Sequence, residues 1–412
     1  MAKLKQLRIM EPVHPNKSTG IINGEASGIL NWDDIAYPSF NRIYKQLKGN
    51  FWIPEEISLN DDQRSYKELT PDERHAFNYL IGLLATLDAP QARLIFKLAE
   101  FTTDPAAQSN LIFIAQQEVI HNQSYSYVLS SLTDWQGEWQ VFESARTDQS
   151  IHERNRPIML AYDSFFAYPS AENYVRAILQ SLILEGIHFY GAFAYFYNLA
   201  REGKMVGTST IISYINKDEL VHTKFLTELL RSVLGENPEL HTHQLEEYIR
   251  DSFIQAVDGE MKLSRPLLAP IVGIDLDEFE SYVQYRANKM VGMLGMDELY
   301  QGVSQNSMPW IRAYVDNFDG VKTDFFERSR EVATKPGLTA YDEFVAAVMP
   351  NLKAWEEAGA ESNVVARSIW RASISIWPRL RYQPNATFFV WARGWVPGHL
   401  YVRIVRRLFN AW

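Results

Sequence analysis

The chain has 412 residues, of which 46% are hydrophobic and 22% charged, a balance that excludes wholesale disorder. Its net charge of −10 disfavours nucleic acid as the main partner. Cysteine is absent, which removes disulfides, zinc-thiolate sites, iron–sulfur clusters and thiol nucleophiles, and fits a reducing cytoplasm.

Residues 1–30 are rich in Gly, Pro, Asn and Ser and read as an extended arm. They begin Met1-Ala2-Lys3-Leu4-Lys5 and continue polar, with no apolar core of a secretory signal. Thr70-Pro71-Asp72-Glu73 combines a Thr cap, Pro at the first helical position and Glu three residues after the cap, so a helix is predicted to start there. Asp104-Pro105 opens a second through Leu111, Ile114, Val119 and Ile120. Ser170 precedes a third over about 171–200, and a fourth runs from near Thr208 to Gly235. Further helices are predicted near 239–263 and 276–294, and strand-type alternation is scarce, so the fold class is all-α. The longest apolar stretch, Ile178 to Ala200, contains Glu185 and His188 and is too interrupted to predict a membrane span.

A pattern repeats along these helices. An acidic residue in one apolar helix is followed about thirty residues later by Glu-x-x-His in the next: Asp88, then Glu118 and His121; Glu185, then Glu219 and His222. Residues three apart on a helix lie roughly 60° apart around its axis, so each Glu and His can reach one metal. With 30 Glu and 9 His, chance alone gives about one Glu-x-x-His match, and the sequence has four. Glu11/His14 encloses Pro12 in the arm and reads as accidental; in Glu185/His188 the Glu is assigned as ligand and the His to packing or support. The set matches the ferritin-like bundles, in which two helices each give a carboxylate and two each give Glu-x-x-His to a pair of metals. Four carboxylates in a low-dielectric core also demand positive charge, and two divalent cations supply it. Oxygen-rich ligation with one imidazole per metal favours iron or manganese. Tyr125 lies one turn after His121, while Phe189, Phe193 and Ile215 form an apolar wall beside the ligands.

At these residues the chain resembles the small, radical-generating subunit of class I ribonucleotide reductase. The motifs are Phe51-Trp52-Ile53-Pro54-Glu55-Glu56, Leu87-Asp88, Glu118-x-x-His121-x-x-x-Tyr125, Glu185-x-x-x-Phe189-x-x-x-Phe193, Lys217-Asp218-Glu219-x-x-His222 and Met308-Pro309-Trp310-Ile311. The resemblance implies a ferritin-like domain over 31–340, with Asp88, Glu118, His121, Glu185, Glu219 and His222 as ligands of two iron ions, two manganese ions or one of each. It implies Tyr125 as radical site, activated by molecular oxygen or a related oxidant, and Trp52, Asp218 and His121 as the relay to a large catalytic subunit that reduces ribonucleotides. It also implies a homodimer. The alternative is a ferritin-like dimetal oxidase or oxygenase with an apolar substrate cavity beside the same ligands.

Residues 341–412 are atypical. From Asn363 to Trp412 there are eight Arg and five of the eleven Trp, with no Asp, Glu or Lys. Such a tail suits an amphipathic binder of acidic lipid or protein, a nucleic-acid contact through stacked aromatics, or a translated frameshift. Tyr341 is a candidate for the relay tyrosine of a partner-docking peptide.

Overall fold

The computed structural model describes residues 3–7, 17–25 and 30–315, all within one compact unit, Met1–Thr323. The basic, Trp-rich tail, residues 341–412 with Tyr341, lies outside the described residues. Among the described residues the elements are helical, and the one pairing of extended backbone is an isolated bridge between Lys3 and Ser170. All-α is therefore the fold class, as predicted.

Among the described residues twelve α-helices follow in chain order: α1 Pro38–Gly49, α2 Asn60–Glu68, α3 Pro71–Ala99, α4 Pro105–Leu132, α5 Trp135–Thr147, α6 Gln149–Ala167, α7 Ala171–Ile183, α8 Phe189–Arg201, α9 Val206–Glu236, α10 His243–Leu268, α11 Leu276–Met293 and α12 Arg312–Val315. Local chemistry sets most starts. Thr70 accepts from the Glu73 amide while the Glu73 side chain accepts from the Thr70 amide, the reciprocal cap predicted for α3. Asp104 and Ser170 cap α4 and α7 from the predicted positions. Pro90 lies inside α3, two residues after Asp88, and α7 joins α8 through one wide π turn, Leu184–His188.

Three differences from the sequence reading have physical causes. Helix α9 begins two residues before Thr208, because Asp62 of α2 accepts from the Gly207 and Thr208 amides and caps the helix across the fold. Helix α10 spans 243–268 rather than about 239–263: Pro238–Leu240 forms a short 3-10 turn, and Thr242 then caps the helix by accepting from Leu245. Helices α1, α2, α5, α6 and the four-residue α12 lie outside the predicted set, although Asp134 and Asp148 cap α5 and α6 in the ordinary way.

Helices α3, α4, α7–α8 and α9 bury one another. The α7–α8 rod, Ala171–Arg201, is the one described helix long and apolar enough to cross a membrane, and its apolar window is entirely buried inside the bundle. Of the arm, residues 17–25 form a bent loop closed by Thr19 N donating to Glu25 O rather than an extended run, and the described parts pack: Ile21 and Ile22 are buried, Leu4 N donates to Pro169 O, and Thr103 N donates to Ile21 O.

Candidate metal centre

The four central helices each present chemistry to one point. Asp88 comes from α3; Glu118, His121 and Tyr125 from α4; Glu185 from the π turn; Asp218, Glu219 and His222 from α9. All eight side chains are fully buried. Two overlapping clusters are close enough to share a metal: Glu118, Glu185, Glu219 and His222, with ligand atoms within 4.8 Å of one another, and Asp88, Glu118 and His121 on the same criterion. All six sequence-predicted ligands thus meet, with Glu118 common to both groups.

The two imidazoles are oriented alike. Each Nδ1 faces carboxylates: His121 Nδ1 lies 3.1 Å from Glu219 Oε1, and His222 Nδ1 lies 3.1 Å from Glu118 Oε1 and from Glu219 Oε2. Each Nε2 faces away, within 3.1 Å of Asp218 Oδ2 for His121 and 3.1 Å of Gln117 Oε1 for His222. With Nε2 donating outward, Nδ1 is left with its lone pair toward the cluster, the arrangement that supports a metal-bound histidine.

The inward atoms are short of partners. Both oxygens of Asp88, both of Glu118, Glu185 Oε2, Glu219 Oε1 and His121 Nδ1 are buried without a hydrogen bond of proper geometry. Buried polar atoms are nearly always satisfied, so a concentration of orphaned acceptors at one point is the mark of a cation site. The donor set, four carboxylates and two imidazoles, fits two divalent cations.

Electrostatics agree. Burial and the neighbouring Glu118 carboxylate push Asp88 well above the usual carboxylate range, and burial likewise raises Glu185. Burial resists protonation of His121, but the hydrogen bond to Asp218 and the facing Glu118 and Glu219 carboxylates overcome it and raise the imidazole; His222 is raised against burial by the Glu219 charge and the facing Glu118 carboxylate. For Glu118, burial is outweighed by the two histidines facing it, which hold it down to about 2. Without cations, protons and imidazolium charge neutralise the site.

Beside the cluster, the Tyr125 hydroxyl faces Asp88 without a hydrogen bond of proper geometry; burial and the Asp88 charge raise its pKa, so the phenol stays protonated. Trp52 is buried, and its Nε1–H donates to Asp218 Oδ2 at 2.8 Å, the same oxygen that meets His121. The Trp52 and His121 rings lie 6.2 Å apart and 22° from parallel. Phe189, Phe193 and Ile215 are all buried, and the Phe189 and Phe193 centroids are 6.0 Å apart. Two cavities among the described residues, of about 440 and 610 Å³, are lined by residues of α2–α6 and their connecting turns and by none of the six candidate ligands.

Sequence reasoning missed the amides that set the ligands. Gln117 holds His222, and Gln91 donates to Glu185 Oε1 and to Ser181 Oγ while accepting from the Tyr162 hydroxyl. Gln117 lies four residues before His121, and Gln91 three residues after Asp88, so both face the cluster by helical spacing; an amide simply carries no metal-ligand signal of its own. His188 points away, its Nδ1 3.1 Å from Glu260, in keeping with its assignment to support.

A bundle whose four central helices bury two carboxylates and two Glu-x-x-His pairs around one point defines the ferritin-like carboxylate proteins. The family model "Ribonucleotide reductase, small chain" matches residues 29–307. The beta subunit of ribonucleoside-diphosphate reductase from Halalkalibacterium halodurans is 40% identical over 345 residues, spanning 83% of this chain and all of that one. Its counterpart from Treponema pallidum is 30% identical over 310 residues, spanning 74% of this chain and 88% of the other. The solved ribonucleotide reductase R2 subunit from Clostridium botulinum superposes with a TM-score of 0.74 at 33% identity, covering 76% of this chain and 99% of that one. The chain belongs to the ribonucleotide reductase small-chain family. It is the radical-generating subunit of an oxidoreductase, and a small subunit implies a large-subunit partner.

Proposed function

We propose that Asp88, Glu118, His121, Glu185, Glu219 and His222 hold two cations, iron or manganese, and that Tyr125 is the resting site of a radical delivered to the large subunit for ribonucleotide reduction. When bound and treated with an oxygen-derived oxidant, the metals supply the one-electron oxidising power. The observation that carries this reading is the convergence of unsatisfied carboxylate oxygens and His121 Nδ1, with both imidazole Nε2 atoms engaged outward.

The chain's own residues then have separable tasks. Gln117 and Asp218 fix the ring orientation of His222 and His121, and Gln91 fixes Glu185. Because the Tyr125 phenol keeps its proton, loss of its electron is coupled to loss of that proton, with Asp88 the carboxylate facing it. The buried aromatic wall, Phe189 and Phe193 included, keeps water from an oxidised tyrosine. Trp52, Asp218 and His121 form a continuous hydrogen-bonded line from the cluster to a tryptophan whose neighbours Phe51 and Ile53 are exposed, which is where an oxidising equivalent would leave. The oxidase reading needs a substrate cavity among the ligands, and no observation favours it.

The test is reconstitution with ferrous iron and oxygen, or manganese and a stronger oxidant, followed by electron paramagnetic resonance. The expected tyrosyl signal disappears in Tyr125→Phe while the metal content stays. A signal that survives in Tyr125→Phe would move the radical elsewhere.

A further inference from the structure

Glu185 is the one ligand that does not sit on a regular α-helix. It lies in the π turn Leu184–His188, closed by Phe189 N donating to Leu184 O. A widened turn draws carbonyls out of the α-helical ladder, and buried carbonyls need donors from elsewhere. Two buried arginines on different helices supply them: Arg286 of α11 donates from Nε to Gly186 O at 3.1 Å, and Arg154 of α6 donates from Nη2 to His188 O at 3.0 Å.

We infer that Arg286 and Arg154 are positioning residues that hold this turn open and thereby set Glu185 against Glu118, Glu219 and His222, an inference that rests on the six-ligand reading. Arg154 is itself fixed. Glu260 Oε2 accepts from its Nε at 2.8 Å and Nη2 at 2.5 Å and lies 3.1 Å from His188 Nδ1. Burial opposes ionisation of Glu260, but the Arg154 charge and the bond to His188 overcome it and hold the carboxyl down to about 2. Arg286 lies with its guanidinium carbon 3.4 Å from the Tyr190 ring centroid, which fixes its plane. Helices α11 and α10 approach because glycine leaves room: a Cβ on Gly186 would meet Met290 Sδ at 2.7 Å, and one on Gly191 would meet Glu260 Oε1 at 2.1 Å. A buried ion pair and a second buried cation stabilise a core less well than apolar packing of equal volume. Their donors aimed at two carbonyls of one turn give that placement a purpose.

The experiment compares Arg286→Met and Arg286→Lys with Phe165→Leu, a buried change where α6 meets Phe101, in the turn after α3, and Tyr174 of α7, away from the π turn. Hydrogen exchange of the metal-free protein reads the turn directly, and Co(II) titration followed by visible absorption reads the ligand set. Arg286→Met should speed exchange of the 184–189 amides at least about tenfold, weaken Co(II) binding about 10- to 100-fold and shift the Co(II) bands. Arg286→Lys, which keeps a charged donor, should recover most of both, and Phe165→Leu should lower the melting temperature while changing neither. If Arg286→Met does not fold, Glu260→Gln, which loosens Arg154, takes its place in the same comparison. A variant that differs from Phe165→Leu in neither exchange nor Co(II) spectrum overturns the clamp. Wild-type protein that binds no Co(II) overturns the six-ligand reading instead, and the exchange comparison still decides the clamp.

Discussion

At the scale of single residues, the centre behaves as a proton store as well as a ligand set. Asp88, Glu185, His121 and His222 are all shifted upward, so near pH 7 the metal-free site holds protons that a divalent cation must displace. Metal binding is expected to release more than one proton per chain, with apparent affinity rising from pH 6 to 8. Calorimetry in buffers of different ionisation enthalpy measures this, and buffer-independent heats would contradict it. The relay gives a second expectation. Trp52→Phe removes the Nε1–H that Asp218 accepts without touching a ligand, so metal content and the Tyr125 radical should persist while turnover with the large subunit falls at least about 100-fold. Unchanged turnover would take Trp52 out of the path.

At the scale of elements, what was legible in the sequence followed from local chemistry. The α3, α4 and α7 caps and the Glu-x-x-His spacing are encoded within a few residues, so those starts and the six candidate ligands that converge could be picked out. The Asp62 cap of α9 acts across 145 positions, and the π turn arises from packing against α10 and α11, so neither has a signal within its own window. Gln91 and Gln117 were missed because amides orient ligands without resembling them. The same π-turn neighbourhood gives a pH dependence. Burial and the Arg154 charge push His188 from 6.5 down to about 4, so its stabilising contribution is complete above about pH 6.5 and is lost as pH falls toward 4. Across that window the loss is roughly 3 kcal/mol. Glu260, lowered from 4.5 to about 2, continues it below pH 4.5. In urea titrations of the metal-free protein, the stability gap between wild type and His188→Gln should therefore shrink by roughly 2 kcal/mol from pH 7 to pH 5. Parallel profiles would show that His188 does not titrate between the two states.

At the scale of the whole molecule, the family match ends at residue 307, and a relative aligned over its full length accounts for 83% of this chain. The six ligands and their supports all lie between Trp52 and Arg286. Removal of 345–412 is therefore expected to leave metal content unchanged, whatever the basic, Trp-rich tail contributes to partner binding; metal analysis of the shortened chain checks this, and loss of metal would give the tail a part in the fold. The charge balance of the interior is the claim on which the rest depends. On the proposed reading the four buried carboxylates are tolerable because cations join them, so the most direct measurement is anaerobic titration of the purified chain with Mn(II), counting equivalents. Two per chain are expected for wild type, with binding lost at both sites in Glu118→Ala, whose carboxylate belongs to both clusters. A wild-type chain that takes up one equivalent or none, or a Glu118→Ala chain that still binds two as tightly, would contradict the account.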